Sequence, residues 1–108
     1  MDIRWSEKAA TEFADTISYV SQEFGQHTAQ KIRNSIVNSI GIISQFPNAG
    51  KVSFIDEKKN VEFHELPSKF NSIIYSIYND NIYIVSIWSN RRNRAKLYAL
   101  LKSEANNL

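Results

Sequence analysis

The stretch Phe70-Asn71-Ser72-Ile73-Ile74-Tyr75-Ser76-Ile77-Tyr78-Asn79-Asp80-Asn81-Ile82-Tyr83-Ile84-Val85-Ser86-Ile87-Trp88 decides the fold. From Phe70 to Tyr78 it is rich in Ile and Tyr, residues that favour a strand. Asn79-Asp80-Asn81 interrupts the run with side chains that tolerate positive φ, and reads as a tight turn. Ile82 to Trp88 then resumes as a second apolar strand. Just upstream, Val61 to Leu66 reads as another strand, broken by Pro67. Three strands joined by short connections make an antiparallel meander.

Before the meander the period is that of a helix. Ala10, Phe13, Ile17, Val20 and Phe24 fall at gaps of three and four, and Gly25 stands where a C-cap belongs. Ser6 is placed to cap this helix, with Glu7 in a first turn that favours an anion. A second stripe, Ala29, Ile32, Ile36, Ile40 and Ile43, runs to Phe46-Pro47, where proline ends it. Gly41 inside it implies a bend or close packing. Two long helices with so short a joint form an antiparallel hairpin. Ile3 to Trp5 alternates as a short first strand, which reaches the meander only by crossing over the helices. Residues 48–60 are polar and read as an exposed connection or a weak hairpin. A last helix from about Asn93 carries Arg94, Leu97, Tyr98 and Leu101 on one side. The expected order is β–αα–βββ–α: an α+β fold, one domain over residues 1–108, with an antiparallel sheet packed against the helix hairpin.

The 108 residues are 43% hydrophobic and 22% charged, the balance of a globular chain with one core. The absence of cysteine excludes a disulfide framework, a thiolate metal site and a cysteine nucleophile. No apolar run approaches a membrane span and the first residues lack a signal-peptide core, so a soluble cytoplasmic domain is expected. The net charge of +2 is small but uneven. Its densest cluster is Arg91-Arg92-Asn93-Arg94-Ala95-Lys96.

Phosphate loops, nucleophile elbows and metalloprotease motifs are missing, and two histidines are too few for a multi-histidine metal site. No metal and no other cofactor is expected. Arg94 and Tyr98 are four apart and meet on one helix face, with Arg91 and Arg92 just before them. Guanidiniums grip phosphate bidentately and a phenol can stack on an unpaired base, so the group suits RNA. The same residues could instead pair with Glu62, Glu65 or Asp80, leaving the Tyr98 hydroxyl at the rim of the sheet. His64 alternates with Val61 and Phe63. If those two face the helices, His64 faces the open side, where it could act as an acid or base or be inert. Trp5 and Trp88 at strand ends suit packing more than base stacking.

In order and spacing the chain resembles the RelE/ParE superfamily of toxins from bacterial type II toxin–antitoxin modules. The pieces are Trp5-Ser6-Glu7 with Ala9 or Ala10, Ile17 to Gly25 followed by Ala29, Phe46-Pro47 with Gly50, Ile73-Ile74-Tyr75 before Asn79-Asp80, and Ile84 to Trp88 running into Arg91-Arg92. The resemblance implies the same α+β fold and one of two activities. RelE-like members cleave mRNA at the ribosome without a metal. For that activity Arg92, Arg94 and Tyr98, in the segment that matches the C-terminal arginines and tyrosine of RelE-like members, are the implied catalytic group, with Arg91, Lys96 and Lys69 as RNA-binding residues and His64 as the side chain that could stand in for a missing catalytic lysine. Three positions depart from the RelE pattern: Ser72 stands for an arginine, and Phe63 and Glu65 stand for two lysines. ParE-like members inhibit DNA gyrase and have no nuclease chemistry. The leading reading is an mRNA endonuclease, with a gyrase inhibitor, or a member retaining only antitoxin binding, as alternatives.

The implied partners are a cognate antitoxin and either ribosome-bound mRNA or DNA gyrase. The antitoxin is expected to fold on binding as an extended, partly helical segment over the sheet and the basic C-terminal region.

Overall fold

The computed structural model describes residues 1–106. The element order is β1 (Asp2–Trp5), α1 (Glu7–Phe24), α2 (Gln26–Gln45), β2 (Lys51–Asp56), β3 (Val61–Pro67), β4 (Asn71–Tyr78), β5 (Asn81–Ser89) and α3 (Arg94–Ala105). One five-stranded sheet has the order β1-β5-β4-β3-β2. Its pairings are antiparallel except that of β1 with β5, which is parallel; the helix hairpin carries the chain from β1 across the sheet to β2 at the opposite edge.

The sequence reading of the ends is realised in detail. The Ser6 hydroxyl accepts the Ala9 N–H at 2.9 Å and donates to the Val85 carbonyl at 3.0 Å, so one side chain caps α1 and ties it to β5. That tie sets the phase of α1: Ala9 faces the sheet, fully buried, while Ala10 is exposed. Gly25, at φ 93°, closes α1 and opens α2 in a single residue. Asn79 and Asp80 have φ of 50° and 61°, as a two-residue hairpin turn requires. Gly41 has open space around it, so close packing does not explain it.

One strand is added to the meander. Of the two readings of residues 48–60, the hairpin is the one that forms: β2 pairs with β3. A bulge between Val52 and Phe54 explains why the strand is hard to see, since the extra residue breaks the alternation.

The sheet is buried on both faces. Against the hairpin lie Ile73, Tyr75, Ile82, Ile84 and Ile87, packed with Ala9, Val20, Ala29, Ile32, Ile36 and Ile43. On the other face Val61, Phe63, Ile74, Val85 and Trp88 are covered by Leu97, Leu101 and Ala105 of α3. Val61 and Phe63 therefore face α3 and not the hairpin, which reverses the expected position of His64. Among the described residues no helix is long and apolar enough to cross a membrane.

The joint between α2 and β2 is fixed by Tyr75. Its hydroxyl donates to the Pro47 carbonyl at 2.6 Å and accepts the Gly50 N–H at 2.9 Å. Burial pushes the Tyr75 pKa up, with the Gly50 N–H opposing, so the phenol keeps the proton it donates. A Cβ on Gly50 would lie 2.8 Å from the Tyr75 ring and hydroxyl, hence glycine there. We expect Tyr75→Phe to cost about 1–3 kcal/mol in urea unfolding, because it strands a buried Gly50 donor. Gly50→Ala should destabilise as well, by displacing the ring.

Candidate functional site: a neutralised cleft and a basic rim

The residues singled out by sequence divide into separate clusters. Arg94, in the first turn of α3, forms a two-pronged ion pair with Glu65 on β3, its Nη1 donating to Oε2 at 3.1 Å and its Nη2 to Oε1. Arg94 also lies 5.8 Å from the Tyr98 ring centre. Glu65 and then the Tyr98 hydroxyl hold the Arg94 pKa above its usual value. In return the Arg94 guanidinium is the main cause that lowers the Glu65 carboxyl, outweighing the opposing effect of burial. Tyr98 is 41% exposed and rests beside Phe54 at 6.5 Å between rings.

Arg92 belongs to a different cluster. Its guanidinium sits 4.0 Å above the Trp88 ring, and its Nη1 donates to Glu12 Oε2 at 3.4 Å. Glu12 is the residue that sequence reasoning missed. Its Oε1 accepts the Ser86 hydroxyl at 2.8 Å and the Ile87 N–H at 3.2 Å, and its Oε2 also faces Lys8 at 3.5 Å. The available signal was a carboxylate one residue before Phe13, bordering the apolar stripe of α1, where a half-buried charge needs partners.

His64 does not lie on an open face. The residue is 6% exposed, and its ring stacks on Tyr75 at 5.1 Å under the Pro47–Gly50 segment. Its Nδ1 bonds the Gly50 carbonyl at 3.2 Å, and its Nε2 is 3.8 Å from Glu62 Oε2. The reason is the presence of α3: both faces of the sheet are covered, so the alternation that put His64 opposite Phe63 put it under the hairpin side.

The three departures from the RelE pattern are also accounted for. Phe63 is fully buried in the core beneath α3. Glu65 is the partner of Arg94. Ser72 is buried and donates to Asn90 Oδ1 at 2.8 Å. Arg91 and Lys96 remain exposed. Arg91 and Lys69 flank a groove of about 650 Å³ between the hairpin and the turns at its far end, with Tyr19, Val20, Phe24, Ile32 and Phe70 among its walls. Tyr19, Phe24 and Phe70 are 45–58% exposed there, an apolar surface with Lys69 and Arg91 as its cations and Asp15 as its one carboxylate.

A two-helix hairpin crossing over a five-stranded sheet, with a basic segment at the end of its last strand, is the architecture of a small toxin of the RelE/ParE type. The sequence profile described as "ParE toxin of type II toxin-antitoxin system, parDE" matches residues 3–94, and the chain belongs to that family. A solved structure described as the chromosomal ParDE TA system from P. aeruginosa has the same fold. It is 23% identical, with a TM-score of 0.68 over 82% of this chain and 95% of that one. No curated protein matches significantly.

The Glu65–Arg94 pair yields a pH dependence whose sign is fixed. The Glu65 carboxyl is lowered from its ordinary 4.5. Folding therefore releases protons, and the pair contributes fully above that value and is lost as the pH falls through the folded-state value. Melting temperatures recorded between pH 6 and pH 3 should show Glu65→Gln falling less steeply with acid than the parent.

Proposed function

We propose that this chain is the toxin of a ParDE-type module and acts by docking on a protein target, DNA gyrase, without cleaving RNA. The observation that carries this reading is the Glu65–Arg94 pair. Metal-free cleavage of RNA needs positive charge at the phosphorane and groups that move two protons. Here a carboxylate stands where the resemblance would put a lysine, and it occupies the guanidinium implied to bind phosphate. Phe63 and Ser72 supply neither charge nor proton transfer, and the buried His64 ring bonds backbone. The likeness to a ParDE structure agrees with this reading through the fold.

On the same reading, the antitoxin takes a seat different from the one first expected. α3 already covers the sheet face beside the basic segment. The groove walled by Tyr19, Phe24 and Phe70, with Lys69 and Arg91 at its rim, suits an apolar segment with acidic flanks. The exposed Arg91, Lys96 and Tyr98 are what the endonuclease reading retains, and the test separates the two.

Inducing the chain without an antitoxin should arrest growth and change plasmid supercoiling, with mRNA ends unaltered. Newly cut transcripts with normal supercoiling would overturn the docking reading in favour of an endonuclease. Unimpeded growth would show that only antitoxin binding is retained.

A further inference from the structure

The sheet ends at β2, whose outer backbone edge has no strand beside it among the described residues. Edge strands are usually blunted by charges, proline, a β-bulge or very short length, and of these β2 has the bulge at Ser53. β2 has six residues, Lys51-Val52-Ser53-Phe54-Ile55-Asp56, with charges only at its two ends and no proline. Val52 and Ile55 are 48% and 51% exposed.

The arrangement of these residues is self-complementary. Val52 pairs with His64 and Ile55 with Glu62 on β3. His64 and Glu62 are two apart on one strand, so they share a face. Val52 and Ile55 therefore share that face too, although they are three apart in sequence, and the bulge at Ser53 is what brings this about. By the same register Lys51, opposite Glu65, and Asp56, opposite Val61, share the other face.

We propose that β2 pairs antiparallel with β2 of a second copy of this chain, about a two-fold axis near Ser53–Phe54. In that register Val52 lies across from Ile55 of the other copy on one face, and Lys51 across from Asp56 on the other. Each pair occurs twice, as an isologous interface demands. Without the bulge, residues 52 and 55 would point to opposite faces and could not meet. The Lys51 ammonium makes no ion pair among the described residues, since its β3 neighbour Glu65 is held by Arg94. The chain leading into β2 brings no like-charge conflict, because no charged side chain occurs from Asn34 to Gly50. Six paired residues make a small interface, so the dimer forms and dissociates with concentration. The inference does not depend on the toxin's target.

The absence of native cysteine allows a direct test on the full chain. Val52→Cys and Ile55→Cys sit at exposed positions and leave both cores intact. Under mild oxidation, the two variants mixed should form a crosslinked dimer at least about tenfold faster than either alone, because only the mixed pair meets within disulfide reach. Lys51→Asp sets a carboxylate against Asp56 of the other copy and should weaken sedimentation-measured self-association about tenfold. A monomer at every concentration, equal crosslinking in mixed and unmixed samples, or self-association indifferent to Lys51→Asp would each overturn the proposal.

Discussion

Apolar side chains leave the central sheet on both faces, and neither face can be left to water. The helix hairpin covers one with Ile32, Ile36 and Ile43, and α3 covers the other with Leu97, Leu101 and Ala105. Everything at the candidate site follows from this double burial. It sends His64 under the Pro47–Gly50 segment and seals Phe63 in a core. It also brings the first turn of α3 against β3, where Arg94 meets Glu65.

The charged groups are organised by what they cover. Arg92 lies over Trp88 and reaches Glu12, whose other oxygen ties α1 to the backbone of β5. Arg94 fastens α3 to the sheet through Glu65. Two of the three clustered arginines thus have carboxylate partners, although all three are exposed, which leaves Arg91 and Lys96 as the cations of that segment with no carboxylate partner among the described residues. A basic run in sequence overstates the free positive charge, because half-buried carboxylates from α1 and β3 take part of it.

Local signals made most of the fold legible. Ser6, Gly25, Phe46-Pro47 and Asn79-Asp80 mark ends and turns through steric and capping rules that act within a few residues. β2 was ambiguous because its bulge at Ser53 breaks the alternation that would announce it. The site was read less well, for a similar reason. Which face His64 takes depends on whether a second cover exists, and that is decided by α3, thirty residues further on. The Arg94–Glu65 pair is among the pairings that the charge pattern itself offers, whereas the Arg92–Glu12 pair spans eighty residues and leaves no mark in either local pattern.

The parallel pairing of β1 with β5 has a consequence for the order of assembly. Ser6 finds the Val85 carbonyl across a separation of 79 residues. During synthesis α1 and α2 can zip together from neighbouring contacts while β1 waits for its partner. The sheet is thus completed at an edge where the oldest strand meets the newest, and closing so large a loop makes that step slow compared with hairpin formation. Until then Trp5 and the N-terminal end of α1 have no sheet to rest on, and the half-built chain exposes the apolar face that β5 will cover.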